Sequence, residues 1–357
     1  PRRWTRHHAW SENETPLAAD FPLVGQGANE TPPDYDYPFL QAQGDGVHEI
    51  PVGPVHAGTI EPGHFRFQAA GETILHLEER LGYAHKGIEK IAVGRDAAAL
   101  QRLAARVSGD CTVGHSWAAC MAMERAAGIT PPPRALGLRA LLAERERVAN
   151  HLGDVAGICN DVGFSFAFYQ FMRLREQWLR VNAEHFGHRL LMDCLVPGGV
   201  AVDLTASAVT ALYRQHQTLR GELRESLPLL ADNDSLQDRL QGTGILSKAS
   251  AERLGCLGYV GRASGVDHDV RRAHRYAPYD QLTVKAALGE RGDVAARLQV
   301  RIEELDITLE LLDRLLDHLP GGEPQTRWHA PVVEAEGIGF VEAWRGEIMC
   351  YVRFDSS

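Results

Sequence analysis

The sequence has no run approaching the ~20 consecutive apolar residues that a membrane-spanning helix requires, so the polypeptide itself reads as soluble. Any membrane role must then come through partners. Cysteine is sparse: Cys111, Cys120, Cys159, Cys194, Cys256 and Cys350 form no Cys-x-x-Cys pair, which excludes a disulfide scaffold and points to a reduced, cytosolic setting. Basic charge is not in excess, with 37 Lys plus Arg against 47 Asp plus Glu and a net charge of -10, which argues against a general nucleic-acid-binding surface and for no nucleic-acid partner, while leaving room for a local basic patch. No Walker sequence occurs and Gly242-Thr243-Gly244 lacks the rest of a dinucleotide fingerprint, which argues against NAD or ATP binding by this chain. There is no internal repeat, low-complexity tract or apolar signal segment. The chain opens at Pro1 and reads as processed or trimmed. What is present, 44% hydrophobic and 24% charged residues in a chain of 357, is enough for one large or two ordinary globular domains.

The pattern along the chain predicts four regions. Residues 1–45, punctuated by Pro16, Pro22, Pro32, Pro33 and Pro38, read as an irregular extension. Residues 46–95 read as a small α+β segment, with short apolar alternations around a turn at Ala70-Gly71-Glu72. Residues 96–325 read as a helical bundle. Its helices are expected from Asp96 to Gly128, from Ala135 to about Cys159, from Tyr169 to Leu191, from Thr205 to about Leu230, and from Asp293 to Leu319. On the second of these, Leu138, Leu141, Leu142, Arg145, Val148, Ala149 and Leu152 share a face, with charges expected opposite. Residues 326–357 read as a β-hairpin turning at Arg345-Gly346 and cut off near its second strand. The fold class is therefore α+β, predominantly α: a long helical bundle with small sheets near both ends.

Several constellations could carry chemistry. Gly53-Pro54-Val55-His56 and Glu61-Pro62-Gly63-His64-Phe65-Arg66 place two histidines and an arginine beside turn formers, a composition suited to proton delivery near pH 7. The plain alternative is two loop histidines with ordinary hydrogen bonds. Arg106-Val107-Ser108-Gly109-Asp110-Cys111 with Gly114-His115-Ser116 is a glycine-containing break before a helix, where backbone donors are exposed. One cysteine with a serine three residues before it does not supply paired thiolates for a soft metal, and an inert buried Cys111 is the alternative. His185 and His188 are spaced to share a helix face, but nothing stands in a third-ligand position, and they read as surface or interface residues. Arg271-Arg272-Ala273-His274-Arg275 reads as a solvated basic loop that could meet an acidic partner.

In order along residues 50 to 355, GPVHAGTIEPGHFR, HKGIEKIAVGR, RVSGDCTVGHS, PPPRALGLRALLAERERVANHL, VPGGVAVDL, GRASGVDHDVRRAHRYAPY, GDVAARLQVRIEEL and VEAWRGE resemble one superfamily. It comprises the large subunit of nickel–iron hydrogenases, including the membrane-bound, formate hydrogenlyase type, and the quinone-side large subunit of respiratory complex I. The resemblance implies a bundle flanked by small sheets, packed against a small iron–sulfur subunit whose [4Fe–4S] cluster belongs to that partner. It also implies membrane-arm subunits and a subunit or domain of the complex I 30 kDa type. The expected location is peripheral, on the cytoplasmic face of the inner membrane.

Departures from the two parents shape the expected mechanism. Hydrogenases hold nickel and iron with two Cys-x-x-Cys pairs; here the first reads Ser108-Gly109-Asp110-Cys111, leaving Cys111 as the one retained thiol position, and the stretch carrying the second lies past Ser357. A serine oxygen is too hard to replace a bridging thiolate, which argues against nickel–iron chemistry. In complex I a histidine and a tyrosine hold the quinone head group and an aspartate couples to the histidine. The resemblance places His64, with His56 as companion, in the histidine's role and Asp161 in the aspartate's. The tyrosine position falls near Gly109, and no tyrosine lies between Tyr83 and Tyr169, so Ser108, Asp110 or His115 would supply the hydrogen bonds to a quinone. Arg106 matches an arginine close to the partner's cluster, where positive charge raises the reduction potential. Glu89 matches a glutamate on the hydrogenase proton path. Both could instead be structural salt-bridge residues. The resemblance thus implies an electron-transfer subunit that reduces a quinone, binding no cofactor by itself; a hydrogenase with an atypical metal site and a non-catalytic scaffold are the alternatives.

Overall fold

The structure, a computed structural model, describes residues 39–56, 61–84 and 86–355. The irregular extension expected over residues 1–45 lies outside the described residues up to position 38. The chain divides into two compact units, Pro1–Arg95 and Asp96–Ser357.

The first unit holds an antiparallel sheet of β1 (Val47–Val52), β2 (His64–Ala70) and β3 (Thr73–Arg80), in that order, followed by a short helix, α1 (Ile88–Ala92). Gly71 makes the tight turn between β2 and β3, and the register shifts at Gln68/Ala69. One sheet face carries Glu49, His64, Arg66 and Gln68, cross-linked by side-chain bonds from Arg66 and Gln68 to Glu49 at 3.0 and 2.8 Å.

The second unit begins with α2 (Ala97–Ala104), capped by Asp96, whose carboxylate accepts from the Ala99 N–H at 2.7 Å. A single 3-10 turn, Gly109–Cys111, leads into α3 (Thr112–Ala127), which ends on Gly128. The helix expected from Asp96 to Gly128 is thus two helices, and the break between them is the glycine-containing segment. Pro133 then stands at the first position of α4 (Pro133–Asp161), where its missing N–H costs nothing. At 29 residues α4 is about 44 Å long and is the axis of the bundle. It is followed by α5 (Ser165–Phe186), which starts earlier and stops sooner than its periodicity suggests, because Gly187 takes up the left-handed conformation that ends it. A two-residue ribbon, β4 (Leu195–Val196) with β5 (Gly199–Val200), precedes α6 (Ala206–Ala231), capped by Thr205. Four shorter helices follow: α7 (Asp234–Leu240), α8 (Lys248–Arg253), α9 (Gly258–Ala263) and α10 (Val270–Ala273). The long α11 (Val294–Asp317) is capped by Asp293 and buries Leu298, Leu305, Leu309, Leu312 and Leu316.

The chain closes with a hairpin, β6 (Ala335–Ala343) and β7 (Gly346–Phe354), paired along its whole length. β6 lies directly along α3. A Cβ on Gly337 or Gly339 would come within 2.0 Å of the Ala122 or Ala118 carbonyl oxygen, so only glycine allows this approach. The core runs through α3, α4, α5, α6 and α11.

The structure corrects the expected polar face of α4. Glu144, Arg145, Glu146 and Arg147 are all buried, because α3, α5, α11 and the β4–β5 ribbon pack around the helix and the end of β6 meets Arg147. These charges survive burial because each finds partners. Glu124 of α3 and Arg139 of α4 form a buried pair at 2.5 Å, and both also bind the β4–β5 ribbon: Arg139 donates to the Val196 and Gly199 carbonyls, and Glu124 accepts from Gly198 N–H at 2.7 Å. Arg145 has no carboxylate on it. It donates to Asn182 and Gln215, both at 2.7 Å, and lies 4.1 Å from the centroid of the Trp178 ring.

Candidate functional site

The break between α2 and α3 is held from two directions. From below, Asn150 of α4 donates to the Asp110 carbonyl at 2.7 Å, and Glu146, one turn earlier, accepts from the Val113 and Gly114 N–H groups at 2.7 and 3.2 Å. From the far end of the chain, Arg345 grips the Asp110 carboxylate with two bonds, at 3.0 and 2.7 Å, and the Trp344 indole N–H donates to the Asp110 carbonyl at 2.9 Å. The Ser108 hydroxyl donates to the same carboxylate. Aromatic and cationic groups stack behind the clasp: the Arg345 guanidinium lies 4.0 Å from the centroid of the Trp344 ring, and the Tyr259 ring stacks on Trp344 with centroids 6.5 Å apart. Gly258, at φ 61°, lets α9 seat this turn, since a Cβ there would be 1.8 Å from the Arg345 carbonyl oxygen.

Electrostatics differ sharply across these few ångströms. Burial pushes the Asp110 carboxyl up, but the bonds from Arg345 and Ser108 outweigh it and hold the group below its ordinary value. Burial and the nearby Glu146 carboxyl push the Cys111 thiol well up, so Cys111 is a protonated thiol at neutral pH. Burial also pushes Glu146 up, to about 8, against the two backbone donors that favour its anion. A crevice of about 10 Å³ beside Asp110, Glu146, Asn150 and Arg175 is the space of about one water molecule.

Behind the clasp lies a sealed ionic cluster. Glu144, Arg147, His151, Arg262, Asp269, Arg271, Glu304 and Glu342 come from four helices, the approach to α10, and β6, and none has a side chain more than 4% exposed. Arg262 bridges Glu304 at 2.5 Å and Glu342 at 2.9 Å; Arg271 bridges Asp269 at 2.6 Å and Glu144 at 2.9 Å. Tyr279 donates to Glu144 at 2.7 Å. Arg147 donates to Glu144 and also to the Glu342 and Ala343 carbonyls at 3.0 and 3.2 Å, so it ties the cluster to the strand that ends in the Trp344–Arg345 turn.

This architecture has close counterparts. Residues 161–357, more than half of the chain, match the family described as respiratory-chain NADH dehydrogenase, 49 Kd subunit, and residues 86–153 match the family described as nickel-dependent hydrogenase. The carbon monoxide-induced hydrogenase of Rhodospirillum rubrum is 36% identical over 308 residues, 86% of this chain and 85% of that protein. The chain belongs to the complex I 49 kDa and nickel–iron hydrogenase large-subunit family. Formate hydrogenlyase subunit 5 of Escherichia coli, another relative, is 33% identical over 348 residues; the match covers 97% of this chain but 61% of that protein. Among solved structures, a chain of the membrane-bound sulfane sulfur reductase, an archaeal respiratory membrane complex, aligns with a TM-score of 0.79 at 26% identity, covering 87% of this chain and 85% of that one. The expected fold of the family, a helical bundle with small sheets near both ends, is the one observed. Among the described residues no helix is long and apolar enough to cross a membrane, while the solved counterpart is a chain of a respiratory membrane complex.

Of the residues expected from the family resemblance, Ser108, Gly109, Asp110 and Cys111 meet in the clasped turn, and His115 stands half-buried in the first turn of α3. Arg106 makes a two-bond pair with Asp193 at 2.6 Å, beside a surface cleft of about 730 Å³ lined by Gln101, Arg102, Pro197, Arg327 and Trp328; the Ser108–Cys111 turn does not line that cleft. Asp161 is exposed at the end of α4, about 16 Å along the axis from Asn150. His64, His56 and Glu89 belong to the first unit. His64 is buried at the start of β2, with Nδ1 3.2 Å from the Gly53 carbonyl and Nε2 accepting from Arg66 at 3.3 Å. A carbonyl only accepts, so in this pair of contacts Nδ1 is the donor and Nε2 the acceptor. His56 Nε2 is buried without a hydrogen-bond partner among the described residues, and its ring meets Phe65 edge-on at 5.9 Å. Glu89 is exposed in the first turn of α1.

Two expectations are overturned. His185 and His188 do not share a helix face, because Gly187 ends α5 between them, and His188 Nδ1 instead accepts from the Leu190 and Met192 N–H groups. The basic run is solvated only in its later part: Arg271 is buried, where Asp269 and Glu144 neutralise it, while His274 and Arg275 are exposed. The sequence reading also missed Glu146, Arg345 and the ionic cluster. One signal was present, since Glu144, Arg147 and His151 recur at helical spacing on one face of α4.

The residues at the turn do not fit the family's nickel–iron centre. Among the described residues they offer a single thiol, which burial keeps protonated, and a serine hydroxyl already committed to Asp110.

Proposed function

We propose that this chain is the electron-transfer subunit of a complex-I-like membrane oxidoreductase, passing electrons from a partner's [4Fe–4S] cluster to a quinone with coupled proton uptake. The observation that carries the reading is the Ser108–Cys111 turn. Where a hydrogenase would present two thiolates, this chain presents a hydroxyl, a carboxylate and a guanidinium joined by hydrogen bonds; the guanidinium keeps further N–H groups that can orient a carbonyl oxygen, and none of the three grips a soft metal. The match of residues 161–357 to the NADH dehydrogenase subunit supports the same side of the family.

In this reading the acceptor lies in a cavity completed by the small iron–sulfur subunit, with Ser108, Gly109, Asp110 and His115 lining it. Glu146 stands beneath the turn as a carboxyl able to exchange a proton near neutral pH. His64, with His56 as its companion, Asp161 and Glu89 take the proton-delivery roles that the family resemblance gives them. Arg106 faces the cluster with its charge partly offset by Asp193. Membrane-arm subunits and a subunit of the complex I 30 kDa type complete the assembly, on the cytoplasmic face of the inner membrane.

The test is to purify the protein with its native partners, measure nickel and iron per chain, and follow quinone reduction in the His64→Ala variant. Iron without nickel, with assembly retained and turnover lowered about 10²-fold or more, is the expected outcome for loss of a proton-transfer residue. Unchanged turnover would refute the role of His64. The 36% match to a hydrogenase over 85% of its length favours a second reading, a hydrogenase with an atypical centre, and nickel near one per chain would put that reading in place of the first.

A further inference from the structure

The ionic cluster behind the clasp is unbalanced. It contains four carboxylates, from Glu144, Asp269, Glu304 and Glu342, against three guanidiniums, from Arg147, Arg262 and Arg271. A sealed core does not tolerate an uncompensated charge, and the group that can most cheaply become neutral does so. The question is which group holds the extra proton.

His151 is a poor seat. Its Nε2 lies 2.6 Å from Glu304, but Nδ1 is buried with no hydrogen-bond partner among the described residues, in a ring edge-on to Trp344, so a second N–H would be stranded there. Glu144 is served by Arg147, Arg271 and the Tyr279 hydroxyl; Asp269 is gripped by Arg271 through both oxygens; Glu304 has Arg262, Arg147 and His151. Glu342 is the least compensated. One oxygen accepts from Arg262, which it shares with Glu304, and the other from the Val270 N–H at 3.0 Å. It also faces like charges: Asp269 lies 4.0 Å from the same Arg262 nitrogen, and Glu347, held by His268 at 3.3 Å, is its register partner on β7. Tyr276 adds only a neutral hydroxyl, which accepts from the Glu342 N–H. Burial first, then Asp269, push the Glu342 carboxyl up.

We propose that Glu342 is a neutral carboxylic acid in the folded protein, and that its proton steadies the Trp344–Arg345 turn on Asp110. A neutral Glu342 leaves Arg262 to Glu304 and removes a like charge from beside Asp269 at the shared Arg262 nitrogen. The link to the turn is Arg147, which holds the Glu342 and Ala343 carbonyls. Losing the proton leaves four anions competing for three guanidiniums and draws Arg147 away from that strand. Glu342 is thus a positioning residue for the site. Its importance for turnover rests on the function proposed above, but its protonation does not.

Infrared spectroscopy on the purified native complex tests this directly. At neutral pH the spectrum should contain the carbonyl stretch of one protonated, hydrogen–deuterium-sensitive carboxylic acid per chain that disappears in Glu342→Gln. In the unmodified complex the band should vanish as pH is raised, and amide hydrogen exchange at 108–112 and 344–346, corrected for its intrinsic pH dependence, should quicken over the same range. Glu342→Gln, which mimics the neutral acid, should keep that exchange slow. The proposal is overturned if the unmodified complex shows no such band, if the band survives in Glu342→Gln, or if exchange in the variant follows the unmodified protein. If Glu342→Gln fails to assemble, Glu146→Gln separates the two buried acids: a band that survives in it, vanishes as pH is raised and does so over the range in which exchange quickens still supports the proposal, and loss of the band in Glu146→Gln overturns it. A complex that shows the band but reduces no quinone removes the functional reading and leaves this inference standing.

Discussion

Glu146 reaches the start of α3 from one turn of α4 before Asn150, and its carboxylate is held by two backbone N–H groups in a site water hardly enters. That environment has a consequence for stability. An unfolded glutamate ionises near pH 4.3, so with a folded value of about 8 the native protein binds more protons than the unfolded chain between those limits. Stability from this group is therefore fully present below about pH 4 and is lost as pH rises toward 8, at up to about 1.4 kcal/mol per pH unit. Glu146→Gln keeps the shape and removes the titration. Thermal unfolding midpoints measured from pH 5 to 8 should fall less steeply in the variant, and parallel profiles would mean that Glu146 is already ionised at the acid end. At this scale the cysteine shows how composition misleads when taken alone: Cys111 stands where a metal-binding thiolate is expected in the family, yet its neighbours are a carboxyl and apolar side chains.

Among the elements, α3, α4 and the β4–β5 ribbon are joined by the buried Glu124–Arg139 pair rather than by apolar contact alone. Removing one partner strands the other, so Glu124→Ala should cost about 3–5 kcal/mol in denaturant or thermal unfolding, far more than loss of an exposed pair. A cost under about 1 kcal/mol would show that water reaches Arg139 in the variant. The helices themselves were legible in the sequence: α4, α6 and α11 lie within two residues of their periodic patterns, because their apolar faces repeat and Pro133, Thr205 and Asp293 mark their starts. The buried charges were not. A Glu-Arg-Glu-Arg stretch reads as a solvated face unless one knows that elements from more than 100 residues away cover it, and that knowledge is tertiary. For the same reason the turn at Ser108–Cys111 could be picked out, while its clasp could not.

For the whole molecule, the decisive contact is the closure of the C-terminal hairpin onto α3, and two glycines permit it. Gly339→Ala would set a methyl 2.0 Å from the Ala118 carbonyl oxygen, so the strand must lift. The expected cost is about 1–3 kcal/mol or more, with faster proteolysis or hydrogen exchange in β6 and in the Ser108–Cys111 turn together. Faster exchange in β6 alone would show that the turn holds without its clasp. The candidate site is therefore not a property of any one segment: α4 supplies its floor, and residues 235 positions further along the chain supply its latch. Seen from the ribosome, this sets an order of events. At roughly 5–20 residues per second, Arg345 is made on the order of 10–50 s after Asp110, and until then α3 has no strand beside it and Asp110 no guanidinium. The latch thus reports that the hairpin has been made: a translation product that stops before it can form helices but not the site, and quality control that recognises an uncovered α3 can tell the two apart.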